Sequence, residues 1–241
     1  MLKFSTSLIC CDLSDIKSDL DTLLDLPDEF HYLHADFMDG QFVPRYGISP
    51  ELIQWIKKRY GQNFEIDSHL MTKTPTEYLN AIAPSSNEIA FHVEAVTDPL
   101  RVYQMIHDFG GYYDKEIFFG TNVFTDLFPI YEAVENVMAR KNFLFMGISP
   151  GVLGSKSFPN HVCHNLNILN ENSSKYNVII DGGVNFESIK MYKKFASVSK
   201  CIKCICGNST IFHQTEDTAS LSRKDLIHHN ASEILKSMEK N

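Results

Sequence analysis

Apolar positions along the chain alternate between two periods. Short runs rich in β-branched and aromatic residues read as strands, and between them leucines and isoleucines recur at helical spacing. The predicted strands are Phe4 to Cys10, Phe30 to Asp36, Phe64 to Leu70, Glu88 to Glu94, Glu116 to Val123, Phe143 to Ile148, Asn177 to Asp181 and Cys201 to Cys206. The first predicted helix, Asp12 to Leu26, carries Leu13, Ile16, Leu20, Leu23 and Leu24 after an Asp-x-Ser start. A second opens near Ser49 with Leu52, Ile53 and Ile56, and Thr74-Pro75 places proline in the first turn of a short third. Helical spacing returns over Asp98 to Phe109, Leu127 to Met138, Phe186 to Phe195 and Ala231 to Met238, and more weakly over Asn165 to Leu169. Gln214 to Asp225 is polar and reads as a surface loop.

Strand-then-helix units repeated through a chain of 241 residues predict the α/β class and a parallel (β/α)8 TIM barrel. With no linker or low-complexity tract in view, one domain over residues 1–241 is expected. An open doubly wound sheet is the competing architecture. It would carry Gly-x-Gly-x-x-Gly after the first strand, where Cys10-Cys11-Asp12 stands instead.

Composition narrows the partners. Hydrophobic residues make up 44% and charged residues 22%, as in ordinary soluble proteins. A net charge of −8 argues against nucleic acid as the main partner, because a phosphate backbone demands a basic face. No apolar run reaches the roughly 20 residues that span a bilayer, and the N-terminal segment lacks the pattern of a signal peptide. The six cysteines include Cys201-x-x-Cys204-x-Cys206 inside a strand-like run without a second pair at zinc-finger spacing, so buried free thiols are expected. A cytoplasmic location follows from that reading.

In such a barrel the chemistry gathers at the C-terminal ends of the strands. Those ends offer Ser7, His34 with Asp36, Asp67 with His69, His92 with Glu94, Ser149-Pro150-Gly151, Asp181-Gly182-Gly183 and Gly207-Asn208-Ser209. His34 and Asp36 lie two apart, hence on one face of their strand. His34, Asp36, His69 and Asp181 can converge on one divalent ion, and mixed imidazole and carboxylate donors suit Zn, Fe, Mn or Co. Gly182, Gly183, Gly207 and Asn208, with Gly151 and Gly154 from the sixth loop, occupy the turns where many barrels cradle a phosphate. Turn glycines needed for positive φ would look the same.

From Ser5 to Phe212 the chain resembles the ribulose-phosphate 3-epimerase family. The likeness rests on Ser7-Leu8-Ile9, on the long block from His34 to Pro44 (His-Ala-Asp-Phe-Met-Asp-Gly-Gln-Phe-Val-Pro), and on His69-Leu70-Met71. It continues through Phe91-His92-Val93-Glu94-Ala95, Met146-Gly147-Ile148-Ser149-Pro150-Gly151, Asp181-Gly182-Gly183-Val184 and Gly207-Asn208-Ser209. The resemblance implies one divalent ion per chain at His34, Asp36, His69 and Asp181, with Asp36 and Asp181 as the acid–base pair. It implies a small ketose phosphate as substrate, epimerised at C3 through a metal-stabilised enediolate and contacted by Ser7, His69, Met38, Met71 and Met146. A homo-oligomer is implied as well, with no nucleic-acid or membrane partner.

Departures from the family pattern bear on the substrate more than on the reaction. Arg45 stands where asparagine is usual, and the sixth loop reads Pro150-Gly151-Val152-Leu153-Gly154-Ser155, short of one glycine. Asn122-Val123-Phe124-Thr125-Asp126 lacks the prolines of the fifth turn, and Asn208 replaces the usual Ser or Thr. D-Ribulose 5-phosphate is the expected substrate, a hexulose 6-phosphate such as D-allulose 6-phosphate the alternative. A phosphosugar-binding barrel without turnover is a further alternative. A decarboxylase or aldolase would call for a lysine at a strand end, and none is read there.

Overall fold

Eight parallel strands follow one another around a closed barrel in sequence order, and the last pairs back to the first. They are β1 Leu2–Ser7, β2 Tyr32–Met38, β3 Glu65–Met71, β4 Glu88–His92, β5 Glu116–Thr121, β6 Lys141–Met146, β7 Tyr176–Asp181 and β8 Cys201–Cys206. The computed structural model describes residues 2–98, 100–102, 104, 115–135, 141–152, 155–172 and 176–239. Outside the barrel lie α1 Ile16–Leu24, α2 Pro50–Tyr60, α3 Leu79–Ile82, α4 Leu127–Glu135, α5 Pro159–Asn172, α6 Phe186–Lys193 and α7 Arg223–Glu239. The predicted α/β barrel is the observed one.

Helix starts carry their chemistry locally. Pro50 occupies the first turn of α2 after Ser49, where its missing N–H costs nothing. At α6 the Asn185 side chain accepts from the Ser188 N–H at 2.9 Å, and Ser188 Oγ accepts in return from the Asn185 N–H at 2.9 Å. That reciprocal pair satisfies two donors the helix would otherwise leave open.

Some boundaries differ from the pattern. Leu8–Cys10 and Val93–Ala95 leave the sheet as 3-10 turns, so β1 and β4 end earlier than expected. Apolar spacing cannot mark the point where an extended run turns inward. Conversely α5 and α7 are longer than their sequence signals, and α7 begins inside the expected loop at Arg223. Both bury polar residues (Asn165 in α5, Asn230 and Ser237 in α7), which blurs the helical stripe. Of the helix expected from Asp98, Leu100–Val102 are helical, and most of the remainder lies outside the described residues, as do residues 136–138.

Strand alternation divides the core in two. Outward residues such as Leu33, Phe37, Phe91, Phe119, Phe143, Val178 and Ile202 pack against the helices in the main apolar cluster. Burying one such side chain contributes roughly 1.5–3 kcal/mol. The smaller interior cluster comes from Ala90, Phe118, Leu144, Met146, Ile179 and Ile205, on β4 to β8. The β1 to β3 side of the interior is polar instead, with Ser5, Ser7, His34, Asp36, Asp67 and His69 all buried. The register aligns these groups, setting His34 beside Asp67 and Asp36 beside His69.

The seam between the first and last units is latched. Arg223, opening α7, donates to both Asp19 carboxylate oxygens on α1 at 2.6 and 2.7 Å and to the Cys10 carbonyl at 3.2 Å. Its guanidinium lies 4.4 Å from the centre of the Phe212 ring. Such a planar two-pronged pair fixes geometry as well as charge.

Candidate active site

β2, β3 and β7 aim four side chains at one point below the barrel mouth. One donor atom from each of His34, Asp36, His69 and Asp181 lies within 4.8 Å of all the others. His34 Nε2 is 3.1 Å from Asp36 Oδ1 and 3.7 Å from Asp181 Oδ2. His69 Nδ1 is 3.3 Å from each of the same two oxygens. All four residues are buried.

Burial alone would lower the imidazole pKa values and raise those of the carboxylates. Opposed charge overturns it. Asp36, Asp67 and Asp181 hold His34 well above the usual imidazole range, and the neighbouring carboxylates of Asp181 and Asp36 raise His69. His34 and His69 keep Asp181 below the ordinary carboxylate range. His34 does the same for Asp36, against the charge of Asp181.

The donor set fits a cation. His34 Nε2, Asp36 Oδ1 and His69 Nδ1 are buried with no hydrogen-bond partner among the described residues. Buried polar atoms without partners are costly, and here they converge. Behind them the far ring nitrogens are engaged. His34 Nδ1 meets Asp67 Oδ1, and Asp67 Oδ2 accepts from Ser5 Oγ at 2.8 Å and from Lys203 Nζ at 3.4 Å. Lys203 Nζ also donates to Glu88 Oε2 at 2.6 Å. His69 Nε2 lies 2.9 Å from His92 Nε2.

Above the cluster opens a cavity of about 210 Å³. Asp36 and Asp181 stand on its wall, as do Ser7, Met38, Met71, Met146 and Arg45. Ser7 Oγ donates to Asp36 Oδ2 at 3.3 Å. Gly151, Gly182, Gly183, Gly207 and Asn208 line the same cavity, whereas Gly154 lies outside the described residues. His34 and His69 are fully buried behind the carboxylates and do not reach the cavity wall. Gly182 needs its missing side chain twice over. Its φ is 87°, and a Cβ there would sit 2.3 Å from Ile148 Cγ1.

A family model described as the ribulose-phosphate 3 epimerase family matches residues 3–201. The chain belongs to the ribulose-phosphate 3-epimerase family. It is 27% identical to the cytoplasmic isoform of ribulose-phosphate 3-epimerase from Oryza sativa, over 89% of each chain. Against ribulose-phosphate 3-epimerase from Aquifex aeolicus it is 30% identical, covering 78% of this chain and 83% of that one. Among solved structures it superposes on 3-hexulose-6-phosphate synthase from Salmonella typhimurium with a TM-score of 0.66. That match covers 98% of both chains at 16% identity and speaks for the shared barrel alone.

Membership in this family of isomerases agrees with the chain's own motifs, and the structure adds residues that the motifs left without a role. Asp67, His92 and Glu94 were legible as polar strand ends, but the spacing did not say which of them back the donor set. Lys203 was not legible at all. It sits inside β8 among Cys and Ile, and its partners Asp67 and Glu88 lie 136 and 115 positions away. Glu88 and Asp67 raise its pKa, against burial, which keeps it charged and unsuited to Schiff-base chemistry. The cysteines divide in a way the spacing did not show: Cys11, Cys204 and Cys206 are buried, whereas Cys10, Cys163 and Cys201 are partly exposed, and all six are free.

Proposed function

We propose that this chain epimerises a ketose phosphate at C3, converting D-ribulose 5-phosphate to D-xylulose 5-phosphate. The observation that carries the proposal is the pair Asp36 and Asp181. They reach one cavity from β2 and β7, on a wall otherwise rich in methionine. Inverting a carbon beside a carbonyl requires taking its proton from one face and returning one to the other. One carboxylate enters ionised and takes the C3 proton, leaving a planar enediolate; the other, entering protonated, delivers its proton to the opposite face. His34 Nε2 and His69 Nδ1 lie 3.1 to 3.7 Å from the two carboxylates and hold them in place beside the cavity.

His34, Asp36, His69 and Asp181 would hold one divalent ion (Zn, Fe, Mn or Co), which supplies stabilisation of the negative charge developing on the substrate oxygens. Met38, Met71 and Met146 supply a soft, uncharged lining against which a planar intermediate can lie. Ser7 steadies Asp36 through its hydroxyl. The glycine-bearing turns after β6, β7 and β8 supply close backbone approach for the substrate's phosphate.

Arg45 favours a second reading, a longer ketose phosphate such as D-allulose 6-phosphate, because it places a long cation on the wall where the family pattern has asparagine. Solvent deuterium incorporation at C3 tests both, with the two sugars side by side and metal supplied. Exchange with D-ribulose 5-phosphate and little with the hexulose supports the leading reading, and the reverse outcome supports the second. Exchange with neither, in folded and metal-loaded protein, overturns the epimerase assignment for both.

A further inference from the structure

His69 is backed by a chain of hydrogen bonds that differs in kind from the one behind His34. His69 Nε2 faces His92 Nε2 at 2.9 Å, and His92 Nδ1 faces Glu94 Oε2 at 3.1 Å. The other oxygen of Glu94 accepts from the Asn122 N–H at 2.7 Å and from the Thr125 hydroxyl. His69 and His92 are fully buried, and Phe42 packs on the His92 ring with centres 5.0 Å apart. Between two imidazole nitrogens at that distance one must donate and the other accept.

Glu94 settles which. A carboxylate offers no proton, so His92 donates from Nδ1 and presents a bare Nε2. His69 must then donate from Nε2, which leaves its Nδ1 lone pair directed at Asp36, Asp181 and the donor cluster. The backbone N–H of Asn122 anchors the far end, because it cannot reverse its polarity. We propose that His92 and Glu94 form a positioning relay that fixes the tautomer of His69 and so presents Nδ1 to a divalent cation.

This rests on the metal reading above but reaches two residues outside the donor set. Supporting groups behind a ligand histidine commonly change metal affinity by about 10- to 100-fold when removed. Glu94→Gln is the informative change. Its amide oxygen stays with the Asn122 N–H, so its NH2 faces His92 and donates. His92 must then accept at Nδ1 and donate from Nε2, which pushes a proton onto His69 Nδ1. By contrast His92→Gln can accept from His69 and donate to Glu94, so it preserves the direction of the relay.

The test titrates Co(II) into the metal-stripped wild type and variants, read by its visible absorption and by competition with a chelator. Glu94→Gln is expected to weaken Co(II) binding about 10-fold or more, and His92→Gln to keep it within a few-fold of wild type. Long-range 1H–15N spectra should place the His92 proton on Nδ1 in the wild type and on Nε2 in Glu94→Gln. Equal Co(II) affinity in wild type and Glu94→Gln overturns the relay, as does a wild-type His92 protonated on Nε2. Should Glu94→Gln not fold, His92→Leu carries the same expectation of weakened binding. Wild-type protein that takes up no Co(II) overturns the metal reading instead, while the His92 spectrum still judges the hydrogen-bond direction.

Discussion

Two buried polar clusters share one barrel interior, and they have opposite characters. Near the floor, Lys203 sits between Glu88 and Asp67, each partner within hydrogen-bonding range of its ammonium. At the mouth, His34, Asp36, His69 and Asp181 crowd together, and His34 Nε2, Asp36 Oδ1 and His69 Nδ1 have no hydrogen-bond partner among the described residues. At the floor the ammonium has both of its carboxylate partners in place, and Asp67 ties it to His34 above. Burial and charge are alike in the two places, so neither marks function by itself; the distinction lies in whether each buried lone pair already has its proton.

The sharpest way to break this contrast is to alter the mouth. Asp36→Asn or Asp181→Asn should each reduce epimerisation at C3 by about 10³-fold or more, since each deletes one side of the proton transfer. The stability of the metal-free protein should change little, because no closed network is cut. Near-normal epimerisation in either variant would end the two-carboxylate mechanism.

At the floor the expected damage is to stability. Lys203→Met strands Asp67 and Glu88 as buried carboxylates without their cation, and about 3–5 kcal/mol should be lost in denaturant unfolding at neutral pH. Sign matters here. In the wild type Lys203 and His34 hold Asp67 low against the effect of burial. That stabilisation is present above the unfolded carboxylate value of about 3.9 and fades as pH falls through the lower folded value. In Lys203→Met the stranded carboxylates gain by protonation, so the deficit should narrow on acidification. A deficit independent of pH would mean that packing, not charge, is what Lys203 supplies.

The smallest effect belongs to the rim. Arg45→Asn restores the family's usual residue on the cavity wall and should shift KM by a few-fold, in keeping with about 1 kcal/mol for a partly solvated charge. Opposite shifts for the pentulose and hexulose phosphates would give Arg45 a part in choosing between them. Equal shifts would make it a general anion contact.

How much of this the sequence disclosed follows the same division. The barrel was legible because strand and helix periods alternate cleanly, and the mouth was legible because His34, Asp36, His69 and Asp181 stand at strand ends beside turn glycines. Ends set by polar groups were not, as where Glu94 leaves the sheet to grip Asn122. Nor was the floor, since Lys203 meets its partners through strand register across more than a hundred residues. The tautomer relay hid for a related reason: His92 and Glu94 are conspicuous two residues apart, but His92 meets His69 only through the packing of β3 against β4.

The Arg223 latch has a consequence for how the molecule is made. Asp19 stands on the barrel's α1, and Arg223 follows it 204 positions later. Until β8 is made and pairs with β1, one edge of the growing sheet stays open to any strand that meets it. Contacts of such long range are slow to form and come late. During translation the barrel is therefore a curved open sheet, with Ser7 on its exposed edge strand and Asp181 on one of the last strands to arrive. Closure of the seam is the event that brings these into one cavity, so catalytic competence and protection of the open edge should arrive together when β8 docks on β1.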